Sequence, residues 1–390
     1  MKLFRISTVP ISLNILLKGQ LKYLNQFYEV TAISGAGKDL DEVREREEVK
    51  IHPLKIARPI SPFQDVVSLW KLYRYFKKEK PHIIHSITPK AGLLSMIAGK
   101  MAGVPVRMHT FKGLIFPHKE GHFQTLLIWM DRTLCYFATH VYPEGRGVRE
   151  DLLRYRITDK PLTIIANGNV NGTDTAHFSS SQITDPQGEA LRAALGILPG
   201  DFVFVFVGRL VTDKGINELV TAFKNLASTP VRHRTSHTPH PATKLLLVGP
   251  MEHELDALHP ETLTEIQGNP DIISVGFQPD VRPYFAISHA LVLPSYREGF
   301  PNAVLQAGAM ELPAIVTDIN GCNEIITEGE NGLIIPVKDA AALQQAMEKM
   351  VSDTEAYEIM KAKARPLIES RYRQEVVWKA LLEEYRRVTE

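Results

Sequence analysis

The chain has 390 residues, 44% of them hydrophobic and 23% charged, which excludes a disordered, collagenous or low-complexity protein. Cys135 and Cys322 are its two cysteines, too few for a disulfide framework and without CxxC spacing, so we expect a reducing compartment. The N-terminus lacks an apolar core of signal-peptide length, and no apolar run approaches the ~20 residues of a spanning helix. We therefore expect neither secretion nor a membrane span.

The charge is unevenly distributed along the chain. Lys and Arg number 45 against 44 Asp and Glu, a net charge of +1. Residues 1–180 hold 26 basic against 16 acidic residues, a balance of +10, whereas the remainder holds 19 against 28, a balance of −9. Such an asymmetry indicates an anionic partner for the first half.

Short β-rich runs alternate with periodic helical segments in the first half of the chain. Strands are predicted at 2–7, 30–34, 51–54, 82–87, 106–110, 140–142 and 163–166. Helices are predicted at 13–24, 66–79, 91–102 and 123–138. This alternation is typical of a parallel sheet covered on both faces by helices.

A second series follows residues 167–187, a stretch rich in Asn, Gly, Ser, Thr and Asp that we interpret as an interdomain linker. Its strands are predicted at 202–208, 244–249, 272–275, 290–293, 314–317 and 333–336. The sequence thus predicts an α/β protein of two Rossmann-like, doubly wound domains facing a central cleft. We place the domains at 1–177 and 178–373, with 374–390 a helix that returns to the first domain. Residues 353–390 are helical in pattern, with an end or kink expected at Pro366.

Several common motifs are absent or incomplete. Residues 35–38 (GAGK) fail the phosphate-loop pattern twice, since Ala32 and Asp39 stand where it requires Gly and Ser or Thr. No GxGxxG in the right context, nucleophile elbow or HExxH is present. His233, His237 and His240 lie in a polar, Pro-rich segment without acidic or Cys partners, so we interpret it as a solvated loop.

Two segments of the second domain carry candidate chemistry. Arg209 and Lys214 follow the buried run FVFVFV, where two cations and a helix N-terminus are suited to a diphosphate. Glu298 follows another buried strand, and the turn after it ends in Pro301, a residue that favours a helix start. Both segments are expected at the same edge of one sheet.

These residues resemble glycosyltransferase family 4, retaining enzymes of the GT-B fold, and in particular its members of bacterial capsule, O-antigen and N-glycan assembly. The resemblance covers essentially the whole chain. It is carried by Gly208-Arg209, Lys214-Gly215, Glu298-Gly299-Phe300-Pro301, Thr317-Asp318-Ile319-Asn320-Gly321 with Glu324, and the segments SITPKAG, HTFKGLIFP and GNVNGTD.

The resemblance implies roles for these positions. Arg209 and Lys214 match the basic pair that holds the donor diphosphate and stabilises the leaving nucleotide. Glu298 matches the first carboxylate of the E-x7-E motif, which contacts donor-sugar hydroxyls. The nucleotide-sugar-binding set it implies is Gly208, Gly299, Phe300, Pro301, Asn302 and Gln306.

The first domain supplies the candidate acceptor-side residues. Gly113 matches the glycine-containing loop at which donor and acceptor approach each other. His109 is a candidate catalytic residue and sugar contact just beyond its strand, although a packed core or loop histidine fits the sequence about as well. Lys90 and Lys112, which we place in loops at strand ends, are candidates to meet the pyrophosphate of a lipid-linked acceptor.

Gln306 departs from the family pattern, because it stands at the second position of E-x7-E. In the family this carboxylate binds the nucleotide ribose. Neutral hydrogen bonds contribute about 0.5 to 1.5 kcal/mol, against about 1.5 to 3 for charged ones. The substitution predicts donor binding weakened roughly tenfold, or a ribose that is held differently.

One predicted helix of the first half carries several basic residues that could bind an anionic partner. Val66, Leu69, Trp70, Tyr73 and Phe76 are predicted to share one helical face, with Lys71, Arg74 and Lys78 on another. One interpretation is a helix that packs on its sheet with a solvated basic face. The other is a surface that contacts anionic lipid headgroups.

The sequence therefore predicts a retaining glycosyltransferase of the cytoplasmic face of the membrane. It would transfer a UDP-linked hexose or N-acetylhexosamine to a lipid-linked glycan in surface polysaccharide biosynthesis. Neither a metal, another cofactor nor a nucleic-acid partner is expected. A GT-B nucleotide-sugar epimerase and a catalytically weak nucleotide-sugar-binding protein are the alternatives.

Overall fold

The computed structural model describes residues 1–228, 242–252 and 256–390. His233, His237 and His240 lie outside the described residues. The chain forms two compact units, the first of Met1–Gly172 with Gln374–Glu390 and the second of Thr173–Arg373. The first unit therefore ends five residues before the position that the sequence suggests, and the C-terminal segment belongs to it.

The first unit is a parallel sheet of six strands with helices on both faces. Its strand order is β3-β2-β1-β4-β5-β6. The elements, in chain order, are β1 (Lys2–Ile6), α1 (Pro10–Leu16), α2 (Gln20–Asn25), β2 (Glu29–Ser34), α3 (Lys38–Glu47), β3 (Lys50–Pro53), α4 (Pro62–Glu79), β4 (Ile83–Ser86), α5 (Pro89–Ala102), β5 (Val106–Phe111), α6 (Gly121–Phe137), β6 (His140–Pro143) and α7 (Arg146–Arg154).

The second unit repeats this topology. Its strand order, β12-β11-β10-β7-β8-β9, is the same order when numbered from its own first strand. The elements are α8 (Asp185–Ala194), β7 (Phe202–Val207), α9 (Ile216–Ser228), β8 (Thr243–Val248), α10 (Pro260–Gly268), β9 (Ile272–Gly276), α11 (Arg282–Ala286), β10 (Ala290–Leu293), α12 (Asn302–Ala309), β11 (Ala314–Thr317), α13 (Cys322–Ile325), β12 (Gly332–Ile335), α14 (Ala340–Ser352) and α15 (Thr354–Tyr372). The last helix, α16 (Gln374–Arg387), belongs to the first unit.

The strand order fixes where each unit can bind a ligand. In both sheets the direction of chain progression reverses beside the first strand, between β1 and β4 and between β7 and β10. Loops that leave two such strands diverge to opposite faces, which opens a crevice at their carboxyl ends. The residues that follow β7 and β10 are therefore the ones to examine in the second unit.

Two predicted elements are wrong. Residues 163–166 do not form a strand: in this stretch isolated bridges occur only at Leu162 and Ala166, and the φ of 52° at Ala166 interrupts extended backbone. The helix predicted at 13–24 is two helices, because the buried Glu47 carboxylate accepts hydrogen bonds from the amides of Gly19 and Lys22 and so caps a new helix start. Of the two outcomes expected at Pro366, the helix does not end there, because α15 continues to Tyr372; a kink at Pro366 stays a prediction.

The predicted apolar face of α4 is also wrong in part. Phe76 is buried, and Leu69 and Tyr73 pack partly against the core. Val66 and Trp70 instead face solvent, at 64% and 54% exposure. The helix buries a face centred on Leu72, which turns Val66 and Trp70 outward.

Asp131, on α6, gives the first unit a pH-dependent stability. Burial raises the pKa of its carboxyl to about 7, against about 3.9 in an unfolded chain. The folded unit therefore holds this proton more tightly, and stability is lost as pH rises from about 4 to 7. We expect Asp131→Asn to raise the free energy of unfolding by roughly 2 to 4 kcal/mol at pH 8, and by about a third of that at pH 5.

Urea denaturation of Asp131→Asn and the wild type at both pH values measures this effect. The exposed Asp159→Asn serves as the control and should change stability little at either pH. An equal gain for Asp131→Asn at pH 5 and pH 8 would contradict a carboxyl that titrates near neutrality.

Candidate active site

The carboxyl end of β7 presents an arginine. The Gly208 amide donates to the Val248 carbonyl at 3.0 Å, and the Leu210 amide donates to the Pro250 carbonyl at 2.9 Å. These bonds join the ends of β7 and β8 and fix the backbone on both sides of Arg209. The Arg209 side chain is about half exposed, and its Nη1 donates to Glu252 Oε2 at 2.7 Å. Among the described residues, the guanidinium is thus held at the edge of the sheet by one exposed ion pair, an interaction that is weak in water.

Lys214 lies between β7 and α9. It ends a short 3-10 turn, Thr212–Lys214, and Gly215 follows with a φ of +70°. A Cβ on Gly215 would lie 2.0 Å from the Pro294 carbonyl oxygen. Only glycine fits so close to the backbone that leaves β10. This contact brings Lys214, at the end of its turn, to the segment that follows β10.

Glu298 meets Lys214 at that point. Lys214 Nζ donates to Glu298 Oε1 at 2.5 Å, and both side chains are largely buried. Ser295 Oγ donates to the same oxygen at 2.9 Å. Thr317 Oγ1, at the end of β11, donates to the Ser295 carbonyl at 2.5 Å. The ends of β7, β10 and β11 thereby converge on one partly buried ion pair.

Cys322 lies near this ion pair without taking part in it. Its thiol is buried, and burial, with the nearby Glu298 carboxylate, raises its pKa well above the usual value. The thiol is therefore protonated at neutral pH. A protonated thiol is a poor nucleophile, so the arrangement favours chemistry without covalent attack by Cys322.

The turn after Glu298 leads into α12 as the sequence suggests. Pro301 is the N-cap residue of α12, which begins at Asn302. Phe300 is buried and its ring lies 5.5 Å from that of Tyr372. Gly321 packs on the turn so closely that a Cβ there would lie 2.3 Å from the Gly299 carbonyl oxygen. The α12 N-terminus and its turn are thus held rigidly beside Glu298.

Gln306 lies in the second turn of α12 and is partly exposed. Among the described residues its side-chain amide has no hydrogen-bond partner. An amide in this state keeps its donor and acceptor available for a ligand. It lies on the helix that follows the Glu298 turn, as its place in the sequence motif requires, and its role in ribose binding stays a prediction.

The structure corrects the placement of His109. The residue lies inside β5, paired with Ser86 of β4, rather than beyond the strand. It is 1% exposed, its Nδ1 lies 2.8 Å from Ser86 Oγ, and burial lowers its pKa to about 3. The imidazole is therefore neutral and enclosed, which favours the packed-core alternative over a sugar contact.

Lys90 is also misplaced by the sequence analysis. It lies in the first turn of α5, not in a loop, and its Nζ contacts Asp65 Oδ1 at 2.6 Å and the Pro59 carbonyl. A buried, paired ammonium is poorly available to a pyrophosphate. Lys112 does follow β5, with its Nζ 3.9 Å from the buried carboxylate of Glu144. Gly113 follows with a φ of +125°.

The first unit contains a buried polar cluster that was not predicted from the sequence. Arg5 Nη1 donates to Tyr385 Oη at 2.5 Å and lies 2.6 Å from His85 Nδ1, while His85 Nε2 lies 2.8 Å from Thr110 Oγ1. Burial and the Arg5 charge lower the pKa of His85 well below its usual value. Arg5, His85 and Thr110 line a cavity together with Glu144 and Asn169. Nothing in the separate segments signals that these residues meet.

In the second unit, Glu252 and Ser295 were also missed. Ser295 could have been found, since it stands directly after β10 at the edge that holds Glu298. Glu252 lies in the loop after β8, and its pairing with Arg209 carries no local sequence signal.

Two family models match the chain. The model "Glycosyl transferase 4-like domain" matches residues 21–168, and "Glycosyl transferases group 1" matches residues 187–366. Together they span most of both units. The chain belongs to the group 1 (family 4) glycosyltransferases. It is accordingly a glycosyltransferase, and its two six-stranded parallel sheets with flanking helices form the GT-B fold.

Curated relatives span most of this glycosyltransferase. The capsular polysaccharide biosynthesis glycosyltransferase CapM of Staphylococcus aureus is 29% identical over 97% of this chain and 95% of its own length. A UDP-Gal:α-D-GlcNAc-diphosphoundecaprenol α-1,3-galactosyltransferase of Escherichia coli is 28% identical over 76% of this chain and 73% of its own.

Solved structures share the fold of this glycosyltransferase. A glycosyltransferase of Rickettsia africae superposes with a TM-score of 0.80 at 18% identity, covering 100% of this chain and 98% of its own. HepE of Anabaena in complex with UDP superposes with a TM-score of 0.80 at 17% identity, covering 98% of both chains.

Within the described parts of the glycosyltransferase, no helix has both the length and the apolar character needed to cross a bilayer. The same residues contain no cluster of three or more His, Cys, Asp or Glu side chains arranged to hold a metal ion.

Proposed function

We propose that this glycosyltransferase transfers a hexose or N-acetylhexosamine, with retained anomeric configuration, from a UDP-linked donor to a lipid-linked glycan. The role would lie in surface polysaccharide biosynthesis. The observation that carries the proposal is the Lys214–Glu298 ion pair at the carboxyl ends of β7 and β10. It sets a cation for a leaving diphosphate beside a carboxylate for sugar hydroxyls, where open α/β sheets bind their ligands.

The proposed chemistry needs positive charge at the departing phosphate. Negative charge grows there as the glycosidic bond breaks, and an ammonium and a guanidinium placed beforehand stabilise it. Lys214 and Arg209 are the candidates, and both are paired with carboxylates, Glu298 and Glu252. Donor binding would exchange these partners for diphosphate oxygens, which leaves Glu298 to accept hydrogen bonds from the sugar. Two side-chain cations give the reaction a route that requires no metal ion.

The resemblance to a retaining family is the basis for proposing retention, and the described residues around Glu298 include no evident nucleophile for a covalent glycosyl-enzyme intermediate. Glu298 itself is engaged by Lys214 and Ser295, and Cys322 is protonated. We infer attack on the face from which the nucleotide leaves, with the leaving phosphate accepting the proton of the acceptor hydroxyl.

The relatives support the choice of donor, acceptor and process. The Escherichia coli relative is named for a UDP-linked sugar and a diphosphoundecaprenol acceptor, and CapM is named for capsular polysaccharide biosynthesis. A lipid-linked acceptor places the reaction at a membrane, and UDP-sugars place it on the cytoplasmic face. We therefore propose peripheral contact between the basic first unit and an anionic bilayer.

Incubation of the protein with UDP-sugars radiolabelled in the sugar, together with a bacterial lipid extract, tests the proposal. Transfer gives labelled lipid, whereas an epimerase gives a labelled isomer of the donor. A binding protein leaves the donor intact. Only the first outcome supports the proposed function.

Gln306 provides a separate prediction about the donor. Gln306→Glu should tighten UDP binding by roughly five- to tenfold, because a carboxylate accepts ribose hydroxyl protons more strongly than an amide does. Repulsion between the new carboxylate and the diphosphate opposes this gain, and Arg209 and Lys214 offset the repulsion. Calorimetric titration with UDP measures the outcome. Weaker binding in the variant would show that the ribose is held by other groups.

A further inference from the structure

Helix α4 carries a row of exposed apolar side chains that lie outside the core formed by the described residues. Phe63, Val66, Val67 and Trp70 recur at intervals of three and four, so they share one face of the helix. All four are exposed, Phe63 to 82%. The buried face of α4, centred on Leu72, lies on the opposite side. The row is therefore not part of the core.

Helix α6 carries a second row of the same kind. Phe123, Leu126, Trp129 and Tyr136 are exposed, Trp129 to 60% and Tyr136 to 79%. Both α4 and α6 pack against α5, which is largely buried between them. All three helices cover the same face of the first sheet. The two rows consequently lie on one side of the first unit.

Each row pairs a tryptophan with an arginine. The Arg74 guanidinium lies 4.7 Å from the Trp70 ring centroid, and the Arg132 guanidinium lies 5.8 Å from that of Trp129. Tryptophan prefers the boundary between hydrocarbon and water, and arginine extends its charge from that boundary to headgroups. Arg74 is exposed and suits this role, whereas Arg132 donates to the carbonyls of Tyr155 and Arg156. The combination suited to a lipid interface is therefore complete on α4, and on α6 it rests on the exposed aromatic side chains.

The positive charges around the α4 row favour an anionic bilayer, rather than a second copy of the chain, as the binding partner of this surface. Lys71, Arg74, Lys77 and Lys78 continue the exposed side of α4 beyond Trp70, and none has a salt bridge to the described residues. The two carboxylates of α4, Asp65 and Glu79, are paired with Lys90 and Lys2. A symmetric dimer through this face would bring like charges together, whereas anionic headgroups would neutralise them.

We propose that the apolar rows of α4 and α6 enter the headgroup boundary of an anionic bilayer and hold the first unit on it. This inference rests on the proposed function, since a lipid-linked acceptor places the reaction at a membrane. It goes beyond charge attraction, because insertion of apolar side chains persists when salt screens the cations.

Brominated lipids test the insertion directly, since bromine in the acyl chains quenches tryptophan that enters them. The chain has three tryptophans, Trp70, Trp129 and Trp378, and Trp378 packs inside the first unit against Tyr23. Vesicles containing brominated phosphatidylglycerol should quench wild-type fluorescence. In the double variant Trp70→Phe/Trp129→Phe, the remaining fluorescence comes from Trp378, and the vesicles should leave it unchanged. Absence of quenching in the wild type overturns the proposal.

Flotation with the same vesicles measures how much the two apolar rows contribute to the affinity of the protein for the bilayer. Replacing Phe63, Val66, Trp70, Leu126 and Trp129 by serine should weaken binding by about tenfold or more, even in high salt. Leu198→Ser with Ile359→Ser, a control at exposed apolar positions of the second unit, should bind as the wild type does. Unchanged binding of the five-serine variant, or loss of a wild-type dimer in it, contradicts lipid insertion.

Sugar transfer to an acceptor dispersed in detergent does not require a bilayer. Measuring it therefore tests the proposed function independently of membrane insertion. The five-serine variant should keep that activity, because the rows lie outside the candidate active site. If the wild type binds vesicles but transfers no sugar, membrane insertion is supported and the proposed function is rejected.

Discussion

Lys214→Ala should lower kcat by about 100-fold or more while the second unit stays folded. The ammonium is expected to act most strongly on charge that develops in the transition state, so its loss should appear in kcat rather than in KM alone. Its contact with Glu298 at 2.5 Å places it at the end of β10, where the leaving diphosphate is proposed to lie. Arg209→Ala should change kcat in the same direction.

Steady-state kinetics with the best UDP-sugar measures this effect, and circular dichroism confirms the fold. Lys224→Ala is a matched control, since Lys224 also forms an ion pair, with Glu265 at 2.7 Å, on the helix that follows Lys214. It should retain the wild-type kcat. Unchanged turnover in both Lys214→Ala and Arg209→Ala would show that neither residue contributes to catalysis.

Gly215→Ala should destabilise the second unit by about 3 kcal/mol or more and abolish most of the activity. An alanine at a φ of +70° costs about 1 to 2 kcal/mol. In addition, its Cβ would lie 2.0 Å from the Pro294 carbonyl oxygen. Relief of that clash must separate the backbone around Lys214 from the segment that carries Glu298. The variant should therefore lose activity beyond its loss of stability.

Gly196→Ala is the control that separates the steric clash of the new Cβ from the free-energy cost of placing alanine at a positive φ. Gly196 has nearly the same φ, +67°, in the same unit, but a Cβ there meets nothing within 4 Å. Thermal unfolding should give a midpoint for Gly215→Ala that is at least about 4 °C below that of Gly196→Ala. Equal midpoints would mean that the close approach of Gly215 to Pro294 does not constrain the site.

Much of the fold follows from local sequence pattern. The buried run Phe202–Val207 could be read as a strand from its apolar residues alone. The alternation of strands and helices was enough to predict two parallel sheets. Residues 163–166 resembled a strand too, but the turn at Ala166 depends on backbone geometry that the composition does not show. Similarly, the break before Gln20 arises from Glu47, a residue distant in sequence.

The candidate site was predicted as a set of segments, not as a set of contacts. The sequence placed Lys214 and Glu298 at strand ends, which the structure confirms, yet their ion pair joins residues 84 positions apart. Lys90 and His109 were misplaced because their burial is decided by Asp65 and Ser86, on other elements. Trp70 was grouped on one helical face with the buried Phe76 because periodicity shows that a face is apolar, but not which of its side chains a neighbour covers.

Sugar transfer itself is the most direct test of the central claim. The wild type should move label from a UDP-sugar into a purified diphospholipid-linked glycan, releasing one UDP for each sugar transferred. The new glycosidic bond should have the anomeric configuration of the donor, as judged by NMR of the product, and Lys214→Ala should slow both product formation and UDP release. Release of UDP without labelled lipid, or a product of inverted configuration, would contradict the account.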